Sequence, residues 1–125
     1  MSFLLSFGSD KIQINGIKND YNRVERMKYS LCNLSKSEIF MNIALEAKLN
    51  NNWQEVIVDV TKITVKSAVI YDIKQEQRKY FVYDLRTLDR ALFKNKQVEI
   101  RLKVYYGNKI DDLKSIVYSK VIKVQ

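Results

Sequence analysis

From Ile39 to Leu49 every odd position is apolar: Ile39, Met41, Ile43, Leu45, Ala47 and Leu49, with Phe40, Asn42, Ala44, Glu46 and Lys48 between them. A helix would scatter the odd positions around its circumference. An extended strand turns successive side chains to opposite sides, so it places them all on one face. Asn50-Asn51-Asn52 then interrupts the run, and asparagine tolerates the left-handed backbone of a tight turn. Trp53 opens a second extended run with Val56, Val58 and Val60 on one face, so this stretch reads as a β-hairpin.

The same period recurs along the chain. Ile12 and Ile14 form a short strand, and Met27, Tyr29 and Leu31 another, opposed by Lys28, Ser30 and Cys32. Ile63, Val65, Val69, Tyr71 and Ile73 share a parity interrupted by Ser67, and Phe81, Tyr83 and Leu85 share the next. Val98, Ile100, Leu102, Val104 and Tyr106 alternate with Glu99, Arg101, Lys103 and Tyr105, which sends Tyr106 inward and Tyr105 outward. Over 115–124 the row Ile116, Tyr118, Ile122 and Val124 is broken by Lys120, which predicts a bulge. Only Asp84 to Phe93 departs from period two. Leu85, Leu88 and Leu92 recur at helical spacing, so a short helical turn is expected near 85–93, capped at Asp84 or Thr87. About seven to eight strands, each apolar on one face, predict an all-β, antiparallel β-sandwich rather than a parallel α/β sheet. Outward lysines would guard its edges.

Composition narrows the chemistry. The 125 residues amount to one domain, with 1–10 as an N-terminal segment or edge strand. Histidine is absent and Cys32 is the single cysteine, which removes histidine-based triads, most metal sites and any internal disulfide. Cys32 is read as a packing residue or surface thiol. Glycine occurs three times and proline never, and no spacing matches a phosphate-binding loop. No apolar run is long enough for a membrane-spanning helix, and Met1-Ser-Phe-Leu-Leu-Ser-Phe7 lacks the basic start of a signal peptide. The chain is therefore expected to be cytoplasmic if complete, and to belong to the cell envelope if a signal was trimmed.

The second half resembles bacterial immunoglobulin-like and fibronectin type III-like domains. Tyr80-Phe81-Val82-Tyr83-Asp84-Leu85, the corner around Leu88, Gln97 to Tyr106 and Ser115 to Lys120 are similar to strands E, F and G of such sandwiches. Residues 24–60 would supply strands B and C and the strand that follows. The resemblance implies adhesion, recognition or a structural accessory role without chemistry, and a fold shared by many functions says little more.

If the strands at 39–49, 98–106 and 115–124 share a sheet, their outward positions meet. Phe40, Ala44, Arg101, Lys103, Tyr105, Val117 and Val121 would then form a partner-binding face mixing apolar, aromatic and arginine side chains, the composition of interface cores. A protein partner or a second copy of the chain is the expected ligand, unless residues 2–7 cover the face. Trp53 is expected as a core anchor, with exposure in the binding role as its alternative. The formal net charge is +8, and residues 74–103 hold nine basic against four acidic side chains. Arg78, Lys79, Tyr80, Lys94 and Lys96 therefore form an alternative, nucleic-acid-binding set, as in a basic accessory protein of a virus or mobile element. Asp111-Asp112 beside Asn108 reads as a solvated turn rather than a cation site. Asp84, Asp89, Glu99 and Glu46 have Arg86, Arg90, Arg101 and Lys48 close by, so surface ion pairing accounts for them. No enzymatic activity, metal, cofactor or small-molecule substrate is indicated.

Overall fold

The computed structural model describes residues 11–56, 69–94 and 96–125. Ten strands run through them: β1 (Ile12–Asn15), β2 (Asp20–Tyr21), β3 (Arg26–Asn33), β4 (Ile39–Leu49), β5 (Asn52–Glu55), β6 (Tyr71–Ile73), β7 (Arg78–Asp84), β8 (Val98–Gly107), β9 (Ser115–Tyr118) and β10 (Ile122–Val124). The remaining regular structure is two short 3-10 turns, Leu85–Thr87 and Arg90–Phe93, so the fold class is all-β.

The strands form two sheets. One is three-stranded, in the order β1-β3-β7. The other is seven-stranded, in the order β2-β10-β8-β4-β5, with β6 on β4 and β9 on β8. All pairs are antiparallel except β2 with β10, so the second sheet is mixed rather than wholly antiparallel. The inner faces of both sheets contribute to one hydrophobic core. Ile12, Met27 and Leu31 come from the first sheet, and Met41, Ile100, Leu102, Val104 and Ile122 from the second. The predicted parity holds along β8, where buried and half-buried residues alternate without a break. Ile43 packs against the same core.

Two interruptions explain why ten strands stand where seven to eight were expected. The first lies at Gly16. β1 pairs with β3 up to Asn15, Gly16 takes φ +92°, and the chain passes to the other sheet as β2. That backbone region is one that non-glycine residues rarely adopt. The second is the bulge near Lys120. β9 pairs Lys103 with Tyr118, yet β10 pairs Ile100 with Ile122, so three residues, 119–121, oppose only two of β8. Ser119 holds the irregularity, its N–H donating to Leu102 O at 3.0 Å and its Oγ accepting from Leu102 N at 2.9 Å. One extra residue inverts facing. Ile116 and Tyr118 therefore point outward, whereas Ile122 and Val124 are buried.

The helical expectation resolves into two capped turns. Asp84 accepts from Arg86 N, as expected, and Asp89, rather than Thr87, accepts from Ala91 N. Thr87 instead donates its hydroxyl to Asp84 O at 2.8 Å. At the far end of β8, Gly107 lets the loop at Asp112 fold against the strand. A Cβ there would stand 2.1 Å from the Asp112 carbonyl oxygen. Val58, Val60, Ile63, Val65, Ser67 and residues 2–7 lie outside the described residues.

Candidate interaction faces

Each sheet turns its second face outward, and the two faces are built differently. On the seven-stranded sheet, the turn at Asn50 and Asn51 (φ 53° and 68°) fixes the β4–β5 register, pairing Lys48 with Trp53 and Glu46 with Glu55. Even positions of β4 face outward, so Trp53 is a half-buried residue of the outer face and not a core anchor. Strand parity, which sets Trp53 opposite the outward Lys48, decides its side in spite of its size. Val56, of the opposite parity, is the residue that packs on the core.

Arg101 stands at the centre of this face. Its guanidinium lies 4.3 Å from the Trp53 ring centroid and 3.9 Å from that of Tyr118, so it is stacked between two aromatic faces. It also binds Glu46, with Nε and Nη2 each 2.8 Å from Oε1. Glu46 is only 5% exposed. Lys103 Nζ reaches the second Glu46 oxygen at 3.5 Å and Glu55 Oε2 at 3.3 Å, and lies 4.7 Å from the Tyr105 ring centroid. The Tyr105 hydroxyl donates to Glu55. That hydrogen bond, followed by Lys103, lowers the Glu55 carboxyl pKa, while burial and the same bond raise that of the Tyr105 phenol. The acidic neighbours expected along the strand are replaced by cross-strand ones. Register sets Glu46 opposite Arg101, and Lys48 pairs with Glu99 at 3.8 Å.

Five of the seven residues expected on this face are there, half-buried: Phe40, Ala44, Arg101, Lys103 and Tyr105. Val121 is exposed and borders a cleft of about 640 Å³ with Trp53, Lys48 and Glu99. Val117 is corrected: it opposes Val104 and packs on the core. The residues actually outward on β9 are Ile116 and Tyr118, at 42% and 43% exposure. The signal in the sequence was the bulge at Lys120 itself, since one extra residue there inverts the parity of β9 relative to β10.

The outer face of the three-stranded sheet carries Lys28, Ser30 and Cys32 from β3 and Arg78, Tyr80 and Val82 from β7. Tyr80 is 76% and Val82 59% exposed. Arg78 Nη1 donates to Ser30 Oγ at 3.2 Å. The face bears a groove of about 540 Å³ lined by Gly16, Lys28, Ser30, Arg78, Tyr80 and Val82, among others. Beneath it the rings of Tyr29 and Phe81 stack at 5.4 Å, and Tyr71 meets Phe81 edge-on at 5.0 Å. Cys32 is a free, half-buried thiol.

The alternative basic set does not converge. Arg78 and Tyr80 share the outer face, but Lys79 turns the other way and donates to Asp72 O at 2.8 Å. Lys94 and Lys96 follow the second 3-10 turn, beyond the Asp84 end of β7. Six residue steps of extended chain, about 20 Å, separate that end from Arg78. Asp112 meets Lys114 at 3.7 Å, and among the described residues no cluster of three potential metal ligands occurs. No helix among them is long and apolar enough to cross a membrane.

The class defined so far is an all-β protein with two outward sheet faces, one internally cross-linked and one basic. No family model matches the chain, and no curated protein matches it significantly.

Proposed function

We propose that the protein is a non-catalytic, immunoglobulin-like binding module that engages a protein partner, a second copy included, through the outer face of β4, β8 and β9. Strand order supports the architectural part. β1-β3-β7 opposite β2-β10-β8-β4-β5 is similar to the A-B-E and A′-G-F-C-C′ sheets of such sandwiches, with the first strand divided between them.

The observation that carries the functional part is the Trp53–Arg101–Tyr118 stack above Glu46. Aromatic residues and arginine are enriched where protein interfaces concentrate their binding energy. A side chain already ordered in the free protein loses little entropy on binding. Ile116 and Val121 extend the stack as exposed apolar surface along the Tyr118 side.

The test is Ile116→Asp/Tyr118→Asp, both outward-facing, against wild type. Crosslinking mass spectrometry and light scattering at rising concentration should lose a specific contact through this face in the variant. An identical contact map and mass for both proteins would reject the reading.

A further inference from the structure

The groove on the three-stranded sheet is a separate site. The ion pairs of the described residues involve Lys18, Lys48, Arg86, Arg101, Lys103 and Lys114, and neither Lys28 nor Arg78 takes part in any of them. Register brings these two cations to either side of Tyr80. Arg78 lies two residues away on β7, and Lys28 lies diagonally across on β3, two residues from the directly opposed Ser30. Diagonal neighbours in a sheet are about 7–8 Å apart, within reach of these long side chains. Arg26 continues the basic row two residues beyond Lys28, about 7 Å along the strand. The carboxylate opposite it, Asp84, is already held by Arg86 through Nε and Nη2.

Tyr80 thus offers a solvent-exposed ring flanked by positive charge, with exposed Val82 beside it. We infer that this face binds single-stranded nucleic acid, a base stacking on Tyr80 and adjacent phosphates lying along Arg78, Lys28 and Arg26. Lys28 and Arg26 stand about 7 Å apart along β3, and Arg78 stands on the far side of Tyr80, four residues from Lys28 along the sheet. Among the described residues Lys28 and Arg78 are in no ion pair and can displace counterions, whereas Arg26 also feels Asp84 and the cations of the other face are already matched. An acidic peptide would find the same cations but would have no use for an exposed ring between them. This site is independent of the protein-binding face, and the chain's single tryptophan, Trp53, lies on that other face.

The experiment is fluorescence anisotropy with a short labelled oligothymidylate across a salt series, with Trp53 emission followed in parallel. Binding should appear at low salt and weaken as salt rises. Tyr80→Ala should reduce affinity about ten-fold. Lys28→Gln and Arg78→Gln should each lessen the salt slope by about 0.7. Lys94→Gln/Lys96→Gln, at the far end of β7, should retain most of the affinity, and Trp53 emission should stay constant. No binding at low salt overturns the inference. So does equal loss in the Lys94/Lys96 variant, an unchanged Tyr80→Ala, a Trp53 response that tracks the oligonucleotide, or equally tight binding of polyglutamate labelled at one end. Tyr80, Lys28 and Arg78 are all exposed, and a circular dichroism melt close to wild type shows that each variant is folded.

Discussion

The two outward faces carry similar side chains to opposite ends. On the seven-stranded sheet, Arg101 and Lys103 converge on Glu46 and Glu55, and two aromatic rings enclose the guanidinium. On the three-stranded sheet, among the described residues, neither Lys28 nor Arg78 meets a carboxylate in an ion pair and Tyr80 is stacked on nothing. Residue type alone does not separate the faces, since each has arginine, lysine and tyrosine. Cross-strand register does. It places a glutamate opposite Arg101 and a valine opposite Lys28. Where the charges are matched they stabilise the protein, and where they are not they remain available to a ligand.

The contrast is broken most severely at Glu46. Glu46→Ala leaves two cations on a part-buried surface without their shared partner, and should lower unfolding free energy by about 3 kcal/mol in urea titrations. Lys28→Ala and Tyr80→Ser, on the other face, should stay within about 0.5 kcal/mol of wild type. If all three changes cost the same, the distinction between the faces fails.

A smaller effect is expected of Arg101→Lys. The charge remains, but the flat group between Trp53 and Tyr118 is lost. About 1 kcal/mol of stability should disappear, accompanied by a shift in Trp53 emission. Unchanged emission would mean that the stack does not persist in solution.

The smallest effect sharpens the comparison at the border of the basic face. Hydrogen bonds from the Arg86 side chain and backbone lower the Asp84 carboxyl from its ordinary 3.8 to about 2. Its ionised form is therefore favoured in the folded chain. That contribution is complete above the ordinary value and vanishes as pH falls through about 2. Melting temperature in the wild type should decline between about pH 4 and pH 2 more steeply than in Asp84→Asn. Parallel acid limbs would show that this pair adds nothing.

Period-two alternation made most of the core readable from sequence. Met27, Met41, Leu102 and Val104 are inside, as their parity requires. The outer face of β4 and β8 was readable for the same reason. What escaped depended on register, which parity alone does not specify. Val117 and Tyr118 exchange faces relative to expectation because the bulge at 119–121 inverts facing between β9 and β10, so Ile116 and Tyr118 cannot share a side with Ile122 and Val124. The Glu46–Arg101 pairing links residues 55 apart in sequence, and nothing local announces it. Arg78, Lys79 and Tyr80 looked like one basic-aromatic cluster, but adjacent strand residues point to opposite sides. Lys28, the cation that does flank Tyr80, belongs to another strand.

The division between matched and unmatched charge is tested most directly by a double-mutant cycle. Glu46→Gln, Arg101→Met and their combination would be unfolded in urea beside the wild type. The structure predicts a coupling of about 2 kcal/mol between the two positions. Additive effects, with coupling within about 0.5 kcal/mol of zero, would mean that Arg101 is as uncommitted as Arg78, and would contradict the account.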